Sequence, residues 1–181
     1  MDMPLHEGFP VAPRKRIDIR AIAQNAREAL RLPPGKLNWQ PLLDKLSSDY
    51  SIHYDIFDKF SSPVPMEVEA CFVPGQMTIY IRDSVFDQIV NGGQRATFTM
   101  GHELGHVLLA HQRTHNRLTR DVPIYCHSEW QANTFAAEFT MPLLDIRSRS
   151  LRTASAISDF FGVSPAAATT RLADLQKKGE L

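Results

Sequence analysis

The chain has 181 residues, 43% hydrophobic and 22% charged, and its 20 basic and 20 acidic residues cancel. That length holds one ordinary domain with a small helical appendage and leaves no room for two catalytic domains. No apolar run reaches membrane-spanning length, and the balanced charge lacks the electrostatic footprint of a phosphate-backbone binder. Neither a membrane span nor direct nucleic-acid binding is therefore expected.

Residues 1–16 mix Pro, Gly and charges without the apolar stretch of a secretory signal. They are expected to form a flexible arm, and the protein is expected in the cytoplasm. In residues 17–32, Ile19, Ile22, Ala23, Ala26, Ala29 and Leu30 recur at helical spacing until Pro33-Pro34-Gly35 stops the pattern. Residues 38–47 bring Leu42, Leu43 and Leu46 onto one helix face, and residues 50–54 read as a short strand. Val68, Ala70 and Phe72 alternate, then Met77, Ile79 and Ile81, with Pro74-Gly75 between, which predicts a β-hairpin over residues 66–81. Helices are predicted over residues 83–90, 94–112, 128–140 and 154–161. A last helix reaches about residue 178, with Ser164 as its cap and Pro165 in its first turn. Cys71 and Cys126 stand far apart, without the pairing of a thiolate zinc knuckle, and read as reduced, small apolar residues.

The helix over residues 94–112 carries His102-Glu103-Leu104-Gly105-His106. Helical residues four apart are rotated by about 40° and stacked one turn above each other, so both imidazoles converge on one point. Glu103, about 100° round, reaches water beside a metal held there. Phe98, Met100, Leu104, Val107 and Leu108 make the same helix apolar almost all round, and unpaired histidines in a buried helix cost several kcal/mol. Gly101 and Gly105 share one face and each costs roughly 1 kcal/mol relative to Ala, so another backbone is expected to approach there.

A hydrolytic zinc site takes three protein ligands, and one is still missing. Glu129, Asn133 and Ala136 share a face of the 128–140 helix. Glu129 is the candidate third ligand, and Asn133 can orient a ligand histidine from behind. Ser128 and Gln131 have the spacing of a capping box, which puts Glu129 in the first turn, where interaction with the helix dipole is the alternative reading. Glu138 points about 180° away and is expected to support the motif helix by a hydrogen bond or salt bridge.

His-Glu-Leu-Gly-His at 102–106, followed by Glu-Trp-Gln-Ala-Asn-Thr-Phe-Ala-Ala-Glu-Phe-Thr-Met-Pro at 129–142, resembles the ImmA/IrrE family of bacterial and phage metallopeptidases. The ending Phe139-Thr140-Met141-Pro142 departs slightly from the family's Leu-Leu-Met-Pro. The resemblance implies an α+β, zincin-like domain with a small antiparallel or mixed sheet packed on the motif helix. It implies one Zn2+ held by His102, His106 and Glu129, with Glu103 as catalytic base. It further implies a protein partner, a helix-turn-helix repressor of the Xre type or an antitoxin, cleaved in mobile-element or stress regulation. Boundaries are placed at 1–16 for the arm, 17–145 for the zincin-like domain and 146–181 for a C-terminal helical, helix-turn-helix-like segment.

In that mechanism zinc acidifies a water whose proton Glu103 takes and returns to the leaving amine. Tyr125, His127 and His115 are candidate oxyanion donors, since they lie between the two metal-binding helices. An edge strand beside the motif helix would receive the peptide by strand addition, and residues 76–81 are the candidate, with a plain core hairpin as the other reading. His111 reads as a core or surface position, and Arg113, Arg117 and Arg120 as a solvated basic face. The competing function is a non-proteolytic or toxin–antitoxin-type regulator acting by protein or DNA binding. Against DNA contact, the helix after Ser164 is poor in side chains that read bases.

Overall fold

The apolar spacing of the first segment produces α1 (Arg16–Ala29), which turns Ile19, Ala23 and Arg27 inward. The computed structural model describes residues 8–58, 61, 68–112 and 122–181. The second helix, α2 (Trp39–Tyr50), buries Trp39, Leu42, Leu43 and Leu46 and ends at Ser51, which takes the left-handed conformation. Three strands follow, β1 (His53–Phe57), β2 (Ala70–Val73) and β3 (Thr78–Arg82), in the spatial order β1-β3-β2. The fold is thus mixed α+β with a small mixed sheet: β3 runs parallel to β1 and antiparallel to β2.

The predicted hairpin is present as β2 and β3, but its second strand is not an edge. Because β1 takes the far side of β3, residues 76–81 cannot receive a peptide, and the strand bordering the motif helix is β2. Alternation within the hairpin says nothing about a third strand that ends at Phe57, well before the hairpin begins at Ala70.

The remaining helices are α3 (Asp83–Val90), α4 (Gln94–Leu108), α5 (Ser128–Thr140), α6 (Leu143–Ser148), α7 (Ala154–Phe161) and α8 (Pro165–Lys177). Ser164 caps α8 by accepting the Ala167 N–H, and Pro165 occupies its first turn. The motif helix stops four residues short of the expected end. Ala110 turns back with φ of 52°, its N–H donates to Val107 O and the His111 N–H to His106 O. These are the two bonds of a Schellman motif, built here without glycine.

The core packs α1, α2, the sheet, α3, α4 and the aromatic face of α5, where Phe135 and Phe139 stack. A second cluster, with Met141, Ile146, Ile157, Phe161 and Leu175, forms under α6–α8. Glu138 and Arg171 join the two. Both are about fully buried, at 1% and 2% exposure, and Arg171 donates to both Glu138 oxygens at 2.7 and 2.9 Å. Arg16 and Arg20 of α1 complete the cluster on Glu138. Glu138 therefore ties α1 and α8 to α5 instead of supporting the motif helix, because its face of α5 is turned away from α4.

The segment expected to be a flexible arm is fastened where it is described. Phe9 N–H donates to Ser128 Oγ, Val11 N–H to Cys126 O and Arg14 N–H to Tyr125 O. Residues 1–7 of the arm, and the basic positions Arg113, Arg117 and Arg120, lie outside the described residues. Among the described residues no helix is long and apolar enough to cross a membrane.

Candidate metal centre

The two glycines of the motif helix decide how close α5 comes. A Cβ on Gly105 would stand 3.1 Å from Ala132 O and 3.2 Å from Ala132 Cα, and one on Gly101 would stand 2.9 Å from Thr140 Cγ2. The backbone expected to approach these positions is therefore that of α5. This contact carries the first turn of α5 under the open face of α4, where His102 and His106 project.

The side chains meet as the helix faces predict. His102 Nε2 and His106 Nε2 are 3.0 Å apart, His102 Nε2 lies 3.2 Å from Glu129 Oε2, and His106 Nε2 lies 3.5 Å from Glu129 Oε1. Among the described residues these three are the group of histidines and carboxylates that could hold a metal ion. Asn133, one turn further along α5, places Oδ1 3.0 Å from His102 Nδ1.

The predicted capping box does not form. His127 is the cap residue of α5, and Ser128 Oγ instead accepts the Phe9 N–H and donates to Glu129 Oε1 at 3.3 Å. Gln131 turns inward and donates to Ala12 O and Tyr125 O at 2.8 and 2.7 Å, while its Oε1 lies 3.0 Å from His111 Nε2. His111 Nδ1 in turn lies 3.0 Å from His106 Nδ1. Sequence periodicity could not place His111 at the site, since a helix continuing to residue 112 would carry it to another face. The Schellman turn folds it back.

Residues 91–173, which include all of α4 and α5, match the family described as Peptidase_M78, the IrrE N-terminal-like domain. Over that stretch the chain is similar to an M78 peptidase, IrrE N-terminal-like domain. A solved structure described as a Mycobacterium tuberculosis transcriptional regulator shares the fold, with a TM-score of 0.61 at 17% identity. That match covers 88% of this chain and 47% of the other, so this chain spans about half the length of that protein. The curated proteins contain no match.

The three donors fit a bound metal ion. Separations of 3.0 to 3.5 Å between them are close to the edge of about 3.3 Å of a tetrahedron with bonds near 2 Å. Two imidazole donors favour a zinc-like ion over calcium or magnesium, which take oxygen ligands. Electrostatics agree. Burial opposes charge on His102, yet the Glu129 carboxylate bonded to it, with Glu103 and Asn133 adding, raises its pKa above the usual value. Burial and the facing His102 push His106 down to about 3. Burial works against ionised Glu129, but both histidines hold its pKa below the usual carboxylate value. Two imidazole nitrogens and a carboxylate oxygen aimed at one point form a donor set for a single cation, which would take the place of the proton that Glu129 favours on His102.

Glu103 lies on the adjacent face, buried in the wall of an open cleft of about 610 Å3. Phe72 N–H of β2 donates to Glu103 Oε2 at 2.8 Å. Loss of hydration raises the pKa of Glu103 to about 7, despite His102 and the Phe72 amide, which favour its charge. The cleft runs between β2 and the motif helix, with His102, His106, Glu129 and Asn133 in its lining. Tyr125 and His127 do not line it, and His127 Nε2 bonds to Val122 O at 2.8 Å. His115 lies outside the described residues.

Proposed function

We propose that this protein is a zinc-dependent endopeptidase acting on a specific protein partner, with His102, His106 and Glu129 as metal ligands and Glu103 as general base. The observation that carries this reading is the convergence of the three donors beside a buried Glu103 at the wall of a strand-bordered cleft. A two-histidine, one-carboxylate set leaves a fourth position open, and zinc bound there polarises a carbonyl and acidifies water.

The chain's own residues supply the rest. Glu103, with a pKa near neutrality, can take a proton at its carboxylate and return it to a leaving amine. Asn133 Oδ1 orients His102 through Nδ1. The register of β2 turns the backbone groups of Cys71 and Val73 toward β3, since Arg82 N–H donates to Glu69 O. Ala70 and Phe72 therefore direct theirs to the cleft side, where an extended peptide can add as a strand. Phe72 N–H is occupied by Glu103, so strand pairing and the base share one stretch of backbone.

For the partner we assign a helix-turn-helix repressor of the Xre type, as the ImmA/IrrE resemblance implies, in a cytoplasmic setting. DNA reading by α8 is disfavoured because Arg171, the basic residue of its first half, is buried on Glu138. The test is cleavage of the repressor encoded beside this gene. Glu103→Gln should keep stoichiometric zinc and lose cleavage by at least about 100-fold. Unchanged cleavage rejects Glu103 as base, and a zinc-loaded wild-type protein that binds the repressor without cutting it supports the non-proteolytic regulator.

A further inference from the structure

We propose that His111 and Gln131 are positioning residues that fix the tautomer of His106, so that His106 presents Nε2 to the metal as a bare lone pair. This rests on the metal-site reading above and concerns two buried residues that the ligand set does not include.

The hydrogens of this chain of contacts are fixed from the backbone inward. Gln131 Nε2 lies within hydrogen-bond distance of two carbonyl oxygens, Ala12 O and Tyr125 O, at 2.8 and 2.7 Å. A carbonyl oxygen only accepts, so the nitrogen of this amide must point there and Oε1 must point the other way. Oε1 also only accepts, and its neighbour at 3.0 Å is His111 Nε2, which therefore carries the hydrogen. In a neutral imidazole the other nitrogen is then bare, so His111 Nδ1 is an acceptor. Its partner at 3.0 Å is His106 Nδ1, which must donate. That leaves His106 Nε2 without a hydrogen, facing His102 and Glu129.

Each link is held rigidly. His111 is 3% exposed and Gln131 0% exposed, so water does not compete for these hydrogens. The Schellman turn through Ala110 sets the His111 backbone, through its N–H bond to His106 O. The segment at residues 9–14 supplies Ala12 O and is itself bonded along residues 125–128, so the fastened arm belongs to the chain of contacts. A purely packing role would need none of this polarity, and an apolar side chain would fill the same space.

The test is made on the full chain, with zinc and without it. Long-range 1H–15N correlation spectra of the metal-free wild-type protein at about pH 8 should show His106 with hydrogen on Nδ1 and none on Nε2. His111→Leu, which removes the acceptor, should mix the tautomers of His106 and weaken zinc binding by about 10- to 100-fold. His111→Asn places Oδ1 where Nδ1 stands and should restore both the tautomer and affinity to within a few-fold of wild type. An Nε2–H tautomer of His106 in the wild type overturns the proposal without recourse to a variant. Wild-type zinc binding matched by His111→Leu overturns it alone, whereas a wild type that binds no zinc overturns the metal reading and this inference with it.

Discussion

Gly105 on α4 and Ala132 on α5 meet backbone to backbone: a methyl group added at Gly105 would stand 3.1 Å from the Ala132 carbonyl oxygen. Ala132 lies three residues beyond Glu129, so the spacing of the two helices and the reach of the third donor are set at the same contact. Gly105→Ala gains about 1 kcal/mol in helix propensity but forces α5 outward at an overpacking cost of roughly 1 to 3 kcal/mol. A net fall in melting temperature of a few degrees and at least a tenfold loss of zinc affinity are expected. Calorimetry and zinc titration check this, and wild-type values for both would show that α5 has room to spare.

Metal binding should be visible in stability. An ion that binds the folded chain at 100 times its Kd stabilises it by about 2.7 kcal/mol, which for this size raises Tm by roughly 5 to 10 °C. Glu129→Ala should abolish the shift, and Asn133→Ala should reduce affinity by about tenfold or more by freeing the His102 ring. Thermal scans with zinc and with chelator measure it, and an undiminished shift in Glu129→Ala would remove Glu129 from the ligand set.

Acid should unfasten the C-terminal helices through Glu138. Burial opposes its charge, but Arg171 and Arg20 hold its pKa down to about 2, from an ordinary 4.5. Between those values the unfolded chain binds the proton more readily than the folded one, so stability is complete above about pH 5 and falls as pH drops toward 2. Glu138→Gln should cost about 3 kcal/mol at neutral pH, and the difference from wild type should shrink in acid. Denaturant unfolding at pH 7 and pH 3 gives the comparison. A difference that is constant with pH would place the effect in packing instead of charge.

The amide of Phe72 offers a cleaner probe of Glu103 than any change to Glu103 itself. Because this N–H points away from β3, proline is compatible with the ladder at this edge position. Phe72→Pro should keep zinc binding and the sheet yet lower cleavage by at least tenfold, whereas Phe72→Ala, which retains the amide, should lose much less. Equal losses in the two variants would assign the effect to the phenyl ring.

Much of the helical framework was legible locally. The bounds of α3, α5 and α7, the Ser164 cap and the Pro165 start all follow from apolar spacing and end signals within one or two turns. So did the placing of His102 and His106 on one face of one helix and of Glu129 and Asn133 on one face of another, because helical geometry fixes those directions without reference to the rest of the chain. The sequence could not say that the two faces meet across Gly101 and Gly105, that β3 is central, or that Glu138 gathers arginines from α1 and α8. Nor could it say that Ala110 would end α4 early and return His111 to His106. These depend on contacts between segments tens of residues apart, or on one backbone angle selected by such contacts, and neither leaves a period in the sequence. The sequence alone determined which side chains could form a metal centre, and the tertiary structure decided which others hold them in place.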